Sequence, residues 1–195
     1  MLFKIYYLSL YYILSFSYIN NNIIFSFPED IQKNYIKYEV IKYCNHYKKY
    51  YPDNVYNTIT NAIIIGQKHY PHINYKYILS FISIESRWDI YAKNKNKNNT
   101  FDYGLTQQNS KYLRNRYIVA QKLCDHYKVK YIKSNYDITL NILSAYIYFN
   151  EIKQNIHNNK QQIIAYNTGI KGSYKYQNNF DKNLYYINFL NAFNL

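Results

Sequence analysis

The chain opens on an apolar stretch, Ile5 to Phe16, behind a single cation, Lys4, and no further charge follows until Glu29. A lone cation before a short apolar core is the pattern of a secretory leader. Small residues at Ser15 and Ser17 suit a cut after Ser17, giving a leader over residues 1–17, or up to residue 26 with a later cut. The alternatives are an uncleaved anchor and a buried first helix. For a spanning anchor the stretch falls short of the roughly 20 apolar residues a membrane helix needs.

Beyond the leader the pattern is mostly helical. Ile31 to Tyr50 mixes apolar and charged positions and is ended by Pro52. Asp53 is the expected cap of a helix through about Lys68, with Val55, Ile59, Ala62, Ile63 and Gly66 on one face. Pro71 breaks it. A third helix is predicted from Tyr75 to Trp88, its core face formed by Ile78, Phe81, Ile82 and, at the next helical interval, Glu85. Lys93 to Thr100 is polar and aperiodic and reads as a loop, and Phe101 to Gln107 as a short strand or turn around Gly104. Helices are then predicted from Ser110 to about Tyr127 and from the cap Asp137 to about Gln154, the latter with Ile138, Ile142, Ala145 and Phe149 inward. A short helix over Gln161 to Tyr166 stops near Gly169, and a last one runs from the cap Asp181 to Phe193. There is no internal repeat and no flexible linker. The fold class is mainly α with a small irregular or β-containing lobe between Trp88 and Ser110. Residues 27–70 form a helical lead-in and residues 71–195 the domain proper.

Composition changes how single residues are weighed. The chain has 29 Tyr but only 4 Gly and 3 Pro, and is rich in Asn, Lys and Ile. Codons for Tyr, Asn, Lys and Ile are rich in A and T, so a Tyr or Asn here carries less information than a Glu, Trp or Gly. The net charge of +13 favours polyanionic surroundings. Yet Lys48-Lys49 is the only adjacent cationic pair, and no zinc-finger spacing, aromatic RNA-binding signature or basic recognition helix is present. A nucleic-acid partner is therefore not expected. The five histidines are scattered and no Cys/His cluster has ligand spacing, so neither a metal nor another cofactor is expected. Cys44 and Cys124 are either a pair, if exported, or two buried free thiols.

Three clusters carry chemistry. Glu85, in Ile82-Ser83-Ile84-Glu85-Ser86, is a carboxylate on an apolar helix. Lost hydration raises the pKa of such a group and lets it hold a proton near neutrality, as a glycosidase acid must. A structural ion pair, for example with Arg87, is the plainer reading. Asp102-Tyr103-Gly104-Leu105-Thr106-Gln107-Gln108-Asn109-Ser110 combines a glycine turn with amides able to meet a sugar. Ile164-Ala165-Tyr166-Asn167-Thr168-Gly169 places Tyr and Asn at a helix end.

Taken in order, these clusters resemble the lytic transglycosylase family with a goose-lysozyme-like catalytic domain. The family pattern reads as Glu85-Ser86, Gly104-Leu105-Thr106-Gln107, Asn141-Ile142, Ala165-Tyr166-Asn167-Thr168-Gly169 and a late tyrosine, Tyr185 or Tyr186. The likeness spans about Tyr75 to Phe193. The Asp-x-Gly-x-x-Gln-x-Asn-Ser form is most similar to small exported members associated with secretion and conjugation machinery. Thr106, where the family usually has Met, and the Asn/Lys-rich approach to Asp102 depart from the pattern. The resemblance implies a lysozyme-like α+β fold and an envelope or periplasmic enzyme acting on peptidoglycan without a cofactor, in contact with the membrane only through its leader. It implies that Glu85 is the acid/base and that Ser86, Gln107, Tyr166, Asn167 and Tyr185 or Tyr186 position the sugar. Cleavage between N-acetylmuramic acid and N-acetylglucosamine would then leave 1,6-anhydro ends. The alternatives are a goose-type lysozyme, with Asp89 or Asp102 activating water, and an inactive wall-binding component of a secretion apparatus.

Overall fold

The computed structural model describes residues 27–177 and 179–195. The predicted leader, residues 1–17, lies outside them. The described residues hold seven α-helices and a three-stranded sheet, as expected for a lysozyme-like α+β fold: α1 (Glu29–His46), α2 (Asp53–His69), α3 (Tyr75–Glu85), α4 (Ser110–Tyr127), α5 (Ile138–Asn155), α6 (Asn159–Ser173) and α7 (Leu184–Phe193), with β1 (Lys93–Lys95), β2 (Phe101–Tyr103) and β3 (Gln108–Asn109) between α3 and α4. The chain divides after Tyr35, and Ile36–Leu195 forms one unit that takes in most of the helical lead-in. Among the described residues no helix is long and apolar enough to cross a membrane.

Asparagine sets most of the helix starts. Side chains of Asn74, Asn109, Asn158 and Asn183 accept from backbone N–H groups in the first turns of α3, α4, α6 and α7, and Asp137 does the same for α5. Each satisfies a donor that the helix itself leaves unpaired. Two expected caps move accordingly. Asp53 is the first residue of α2, behind Pro52, and makes no capping bond. Asp181 sits in a 3₁₀ turn over Phe180–Lys182, and Asn183 caps the last helix. The expected helix around Tyr166 is longer than its periodicity suggests: α6 runs to Ser173 through a kink at Gly169, whose φ is 74°.

The small lobe is an antiparallel sheet in the order β1-β2-β3, pairing Asn94 with Asp102 and Asp102 with Asn109. The loop predicted from Lys93 therefore begins as a strand. Lys93 lies on one face, its ammonium 4.6 Å from the Phe101 ring centroid across the ladder, a cation–π contact of the kind that stabilises an exposed pair. Within the predicted loop, residues 96–100 form the turn between β1 and β2.

Two packed regions hold the helices. In one, Leu140, Leu143 and Ile147 of α5 meet Leu113, Tyr117, Ala120, Leu123 and Cys124 of α4. In the other, Phe81 of α3 meets Phe149 of α5 and Phe189 of α7 at 5.1 and 5.2 Å between ring centroids. The second region matters most for the site. Phe81 is one turn before Glu85, and Phe189 is one turn after Tyr185. Their contact fixes the register of α3 against α7.

Candidate active site

Glu85 is the last residue of α3, and Ser86 is its C-cap. The predicted continuation to Trp88 does not form: Arg87 and Trp88 both take left-handed backbone angles, φ 52° and 64°. Trp88 is nevertheless fully buried and its indole N–H donates to Ser83 Oγ at 2.9 Å. This tuck halts the helix at Glu85 and leaves its carboxyl at the edge of the core. Tyr185 donates to Glu85 Oε1 at 2.6 Å. Burial pushes the Glu85 carboxyl up to about 7; the Tyr185 bond opposes that shift and the negative charge of Asp102 adds to it. Burial and the adjacent Glu85 charge in turn push the Tyr185 phenol well up.

Of the two late tyrosines, Tyr185 is the one on Glu85. Tyr186 is buried, with its ring 5.8 Å from the Lys160 ammonium. Ser86 turns away from substrate space: its hydroxyl donates back to Ile82 O at 3.1 Å, and it is not among the residues lining the cleft.

The floor is a buried polar network. Gly104, with φ +73°, turns the chain from β2 so closely over α5 that a β-carbon would stand 2.7 Å from Asn141 Nδ2. Asn141 Oδ1 accepts from Thr106 N at 2.7 Å and from Thr106 Oγ1 at 2.9 Å, and Asn141 Nδ2 donates to Tyr103 O at 2.8 Å. Gln108 Nε2 donates to Thr106 Oγ1 and to the Tyr166 hydroxyl, each at 3.1 Å. Tyr166 itself is stacked on Phe81 at 3.9 Å between centroids. Thr106, fully buried, thus acts beneath the cleft and not at a subsite. Gln107 lines the cleft wall but spends its amide inside the lobe, donating to Gly104 O and Ala92 O and accepting from Asn94.

Above this floor lies a cleft of about 880 Å³. Glu85, Asp102, Gln107, Tyr166 and Asn167 line it, together with the kinked segment of α6 at residues 168–172. Asn167 is exposed there. One wall went unread in the sequence: Tyr112 and Arg116 of α4 with Tyr148 and Glu151 of α5. Its signal was the i, i+4 pair on α4 facing an i, i+3 pair on α5.

The two carboxylates that the sequence offers as partners of Glu85 separate clearly. Asp89 is tied to Lys49 at 3.2 Å and accepts from Tyr91 N, away from the cleft. Asp102 lines the cleft and accepts from Asn109 Nδ2 at 2.7 Å. Among the described residues no three His, Cys, Asp or Glu side chains gather where a metal could be held. Cys44 and Cys124 are both buried and free, their thiols pushed up by burial to about 12 and about 11. Thiols so placed are packing groups, not nucleophiles.

In comparison with known proteins, the sequence model described as "Transglycosylase SLT domain" matches residues 62–188, from within α2 to within α7. It therefore spans every residue of the cleft. No curated protein and no solved structure matches the chain.

Proposed function

The chain belongs to the transglycosylase SLT domain family, and from that premise we propose that it is a peptidoglycan lytic transglycosylase with Glu85 as general acid and then base. The observation that carries the reading is the Glu85 carboxyl, held by Tyr185 at the edge of an open cleft, where burial pushes it up to about 7. The protonated carboxyl gives its proton to the oxygen bridging N-acetylmuramic acid and N-acetylglucosamine. The muramic N-acetyl carbonyl supports the anomeric carbon as that bond breaks, the substrate-assisted exception to the two-carboxylate rule. The Glu85 carboxylate then takes the proton of the sugar's 6-hydroxyl. That oxygen closes on the anomeric carbon, forming a 1,6-anhydro ring and restoring the acid. Asn167 and Gln107 border the substrate, while Tyr166 and Tyr185 fix the site around it.

Cleavage should be fastest while Glu85 is protonated and should fall as pH rises through about 7. Tyr185→Phe removes a bond that favours the charged form, so the fall moves to higher pH. Asp102→Asn removes a charge that disfavours it, so the fall moves to lower pH. Release of soluble muropeptides from purified sacculi across pH measures both. Shifts in the same direction would remove Glu85 as the titrating acid, and no release from the folded wild-type chain would contradict the function itself.

Hydrolysis is the second reading; its water would fall to Asp102, which lines the cleft, since Asp89 is engaged elsewhere. The apolar stretch behind Lys4 supports export to the cell envelope. Fusing Met1–Phe27 to a reporter active only outside the cytoplasm should give signal, and a silent but well-expressed fusion would count against export. The Asp102-x-Gly104 form of the turn supports a role beside secretion or conjugation machinery; cross-linking in whole envelopes that recovered no channel component would count against that role.

A further inference from the structure

Arg116 is a cation in the cleft wall that the acid/base steps leave unused. Its guanidinium carbon lies 3.8 Å from the Tyr148 ring centroid, and Nη1 donates to Gln108 Oε1 at 3.2 Å. Gln108 is itself held by Thr106 and Tyr166. The side chain is therefore fixed on both its flat face and one edge, and only 12% of it is exposed. Its acidic neighbour is held much more loosely. Glu151 Oε2 is 3.6 Å from Nη2, beyond hydrogen-bond length, and its side chain is 49% exposed.

A pair of that kind contributes little and is readily exchanged in water. An arginine stays charged across the working pH range, and its planar fork of five donors suits a carboxylate taken through two bonds. Stacking and the Gln108 bond have already removed the freedom such a fork would otherwise lose on binding. Resting on the glycan reading of the cleft, we propose that Arg116 is a carboxylate subsite that recognises the acid carried by the muramic residue, and that Glu151 is the counterion this acid displaces.

Two carboxylates fit. Strands stripped of peptide present the D-lactyl carboxylate. Strands with stem peptides have that group as an amide and present the carboxylates of the stem. A strand of N-acetylglucosamine alone offers neither, so the subsite would select muramic-containing strands over chitin.

The test is binding to the full chain carrying Glu85→Gln, which does not turn substrate over, measured by calorimetry with two matched pairs of strands. One pair is peptide-free, with the lactyl acid intact or converted to its methylamide. The other bears stems, with their acids intact or amidated. Amidation should weaken binding about tenfold in one pair, the size of a charge-assisted hydrogen bond, and the affected pair identifies the source. Adding Arg116→Gln should erase that ratio. Adding Glu151→Gln, at an exposed position where folding is not at stake, should raise the preference for the acid form over the amide form. Equal binding of acid and amide in both pairs, or a ratio that survives Arg116→Gln or is unmoved by Glu151→Gln, would overturn the subsite while leaving the glycan reading intact. Failure to bind any of the four strands would overturn both.

Discussion

Glu85→Gln is expected to lower cleavage of peptidoglycan at least about a hundredfold, the usual cost of removing a general acid. Glutamine keeps the shape of the side chain, and its amide oxygen can still accept from Tyr185, so loss of activity would not be loss of fold. The same substitution carries a second, opposite signature. The folded-state pKa of about 7 lies above the ordinary value of 4.5. Below about pH 4.5 the carboxyl is protonated in folded and unfolded chains alike and contributes nothing. As pH rises from there to about 7, the unfolded chain gives up the proton more readily, and a stability cost grows and then levels off. The Glu85→Gln variant should therefore be more stable than wild type by about 1–3 kcal/mol at about pH 8 and equal to it near pH 4. Thermal unfolding at the two pH values, beside a sacculus-clearing assay, measures both effects. Near wild-type clearance by the folded variant would take Glu85 out of its role, and a stability difference independent of pH would remove the argument from burial.

Asn141→Leu is expected to have the largest effect on stability. The substitution is close in shape but removes the acceptor of Thr106 N and the donor to Tyr103 O, while Thr106 Oγ1 keeps the Asn141 backbone carbonyl at 3.0 Å. Thr106 is fully buried, so water does not readily replace the amide there, and each unsatisfied group costs roughly 1–3 kcal/mol. A total loss of about 3–5 kcal/mol follows, a fall in Tm of roughly 10 °C for a domain of this size. Cleavage should weaken as well, because the Gly104 turn and the Gln108–Tyr166 floor hang on the same network. A variant melting within about 2 °C of wild type would show that the network is not what anchors the lobe.

What the sequence disclosed follows a physical division. Local signals were readable: the 3.6-residue spacing of α3 that puts Glu85 on an apolar face, the Gly104 turn and the Asp137 cap. Abundant asparagine obscured the other caps, because a residue so common does not stand out even where Asn109 and Asn183 bond the helix starts. Strand β1 was hidden for a similar reason, its alternation of Lys and Asn looking like a solvated loop until Phe101 is set across from Lys95 and beneath the Lys93 ammonium. Long-range choices were not readable. Which tyrosine meets Glu85 is decided by Phe81 against Phe189, far apart in sequence. The Arg116–Tyr148 wall likewise joins two helices that no periodicity relates. Ser86 followed from the family pattern alone, and its hydroxyl belongs to the helix end.

Cleavage by transfer to the sugar's own hydroxyl is read in the mass of the muramic ends released from purified peptidoglycan. The negative charge of Asp102 helps raise the Glu85 carboxyl, and Asp102 is itself engaged by Asn109. The 6-hydroxyl, already tethered to the reacting sugar, has the advantage of proximity over a water that nothing dedicated activates. Transfer to that hydroxyl gives 1,6-anhydromuramoyl ends, lighter by one water than hydrolysis products, as the dominant species. Reducing muramic ends as the dominant species would contradict it and make the protein a lysozyme.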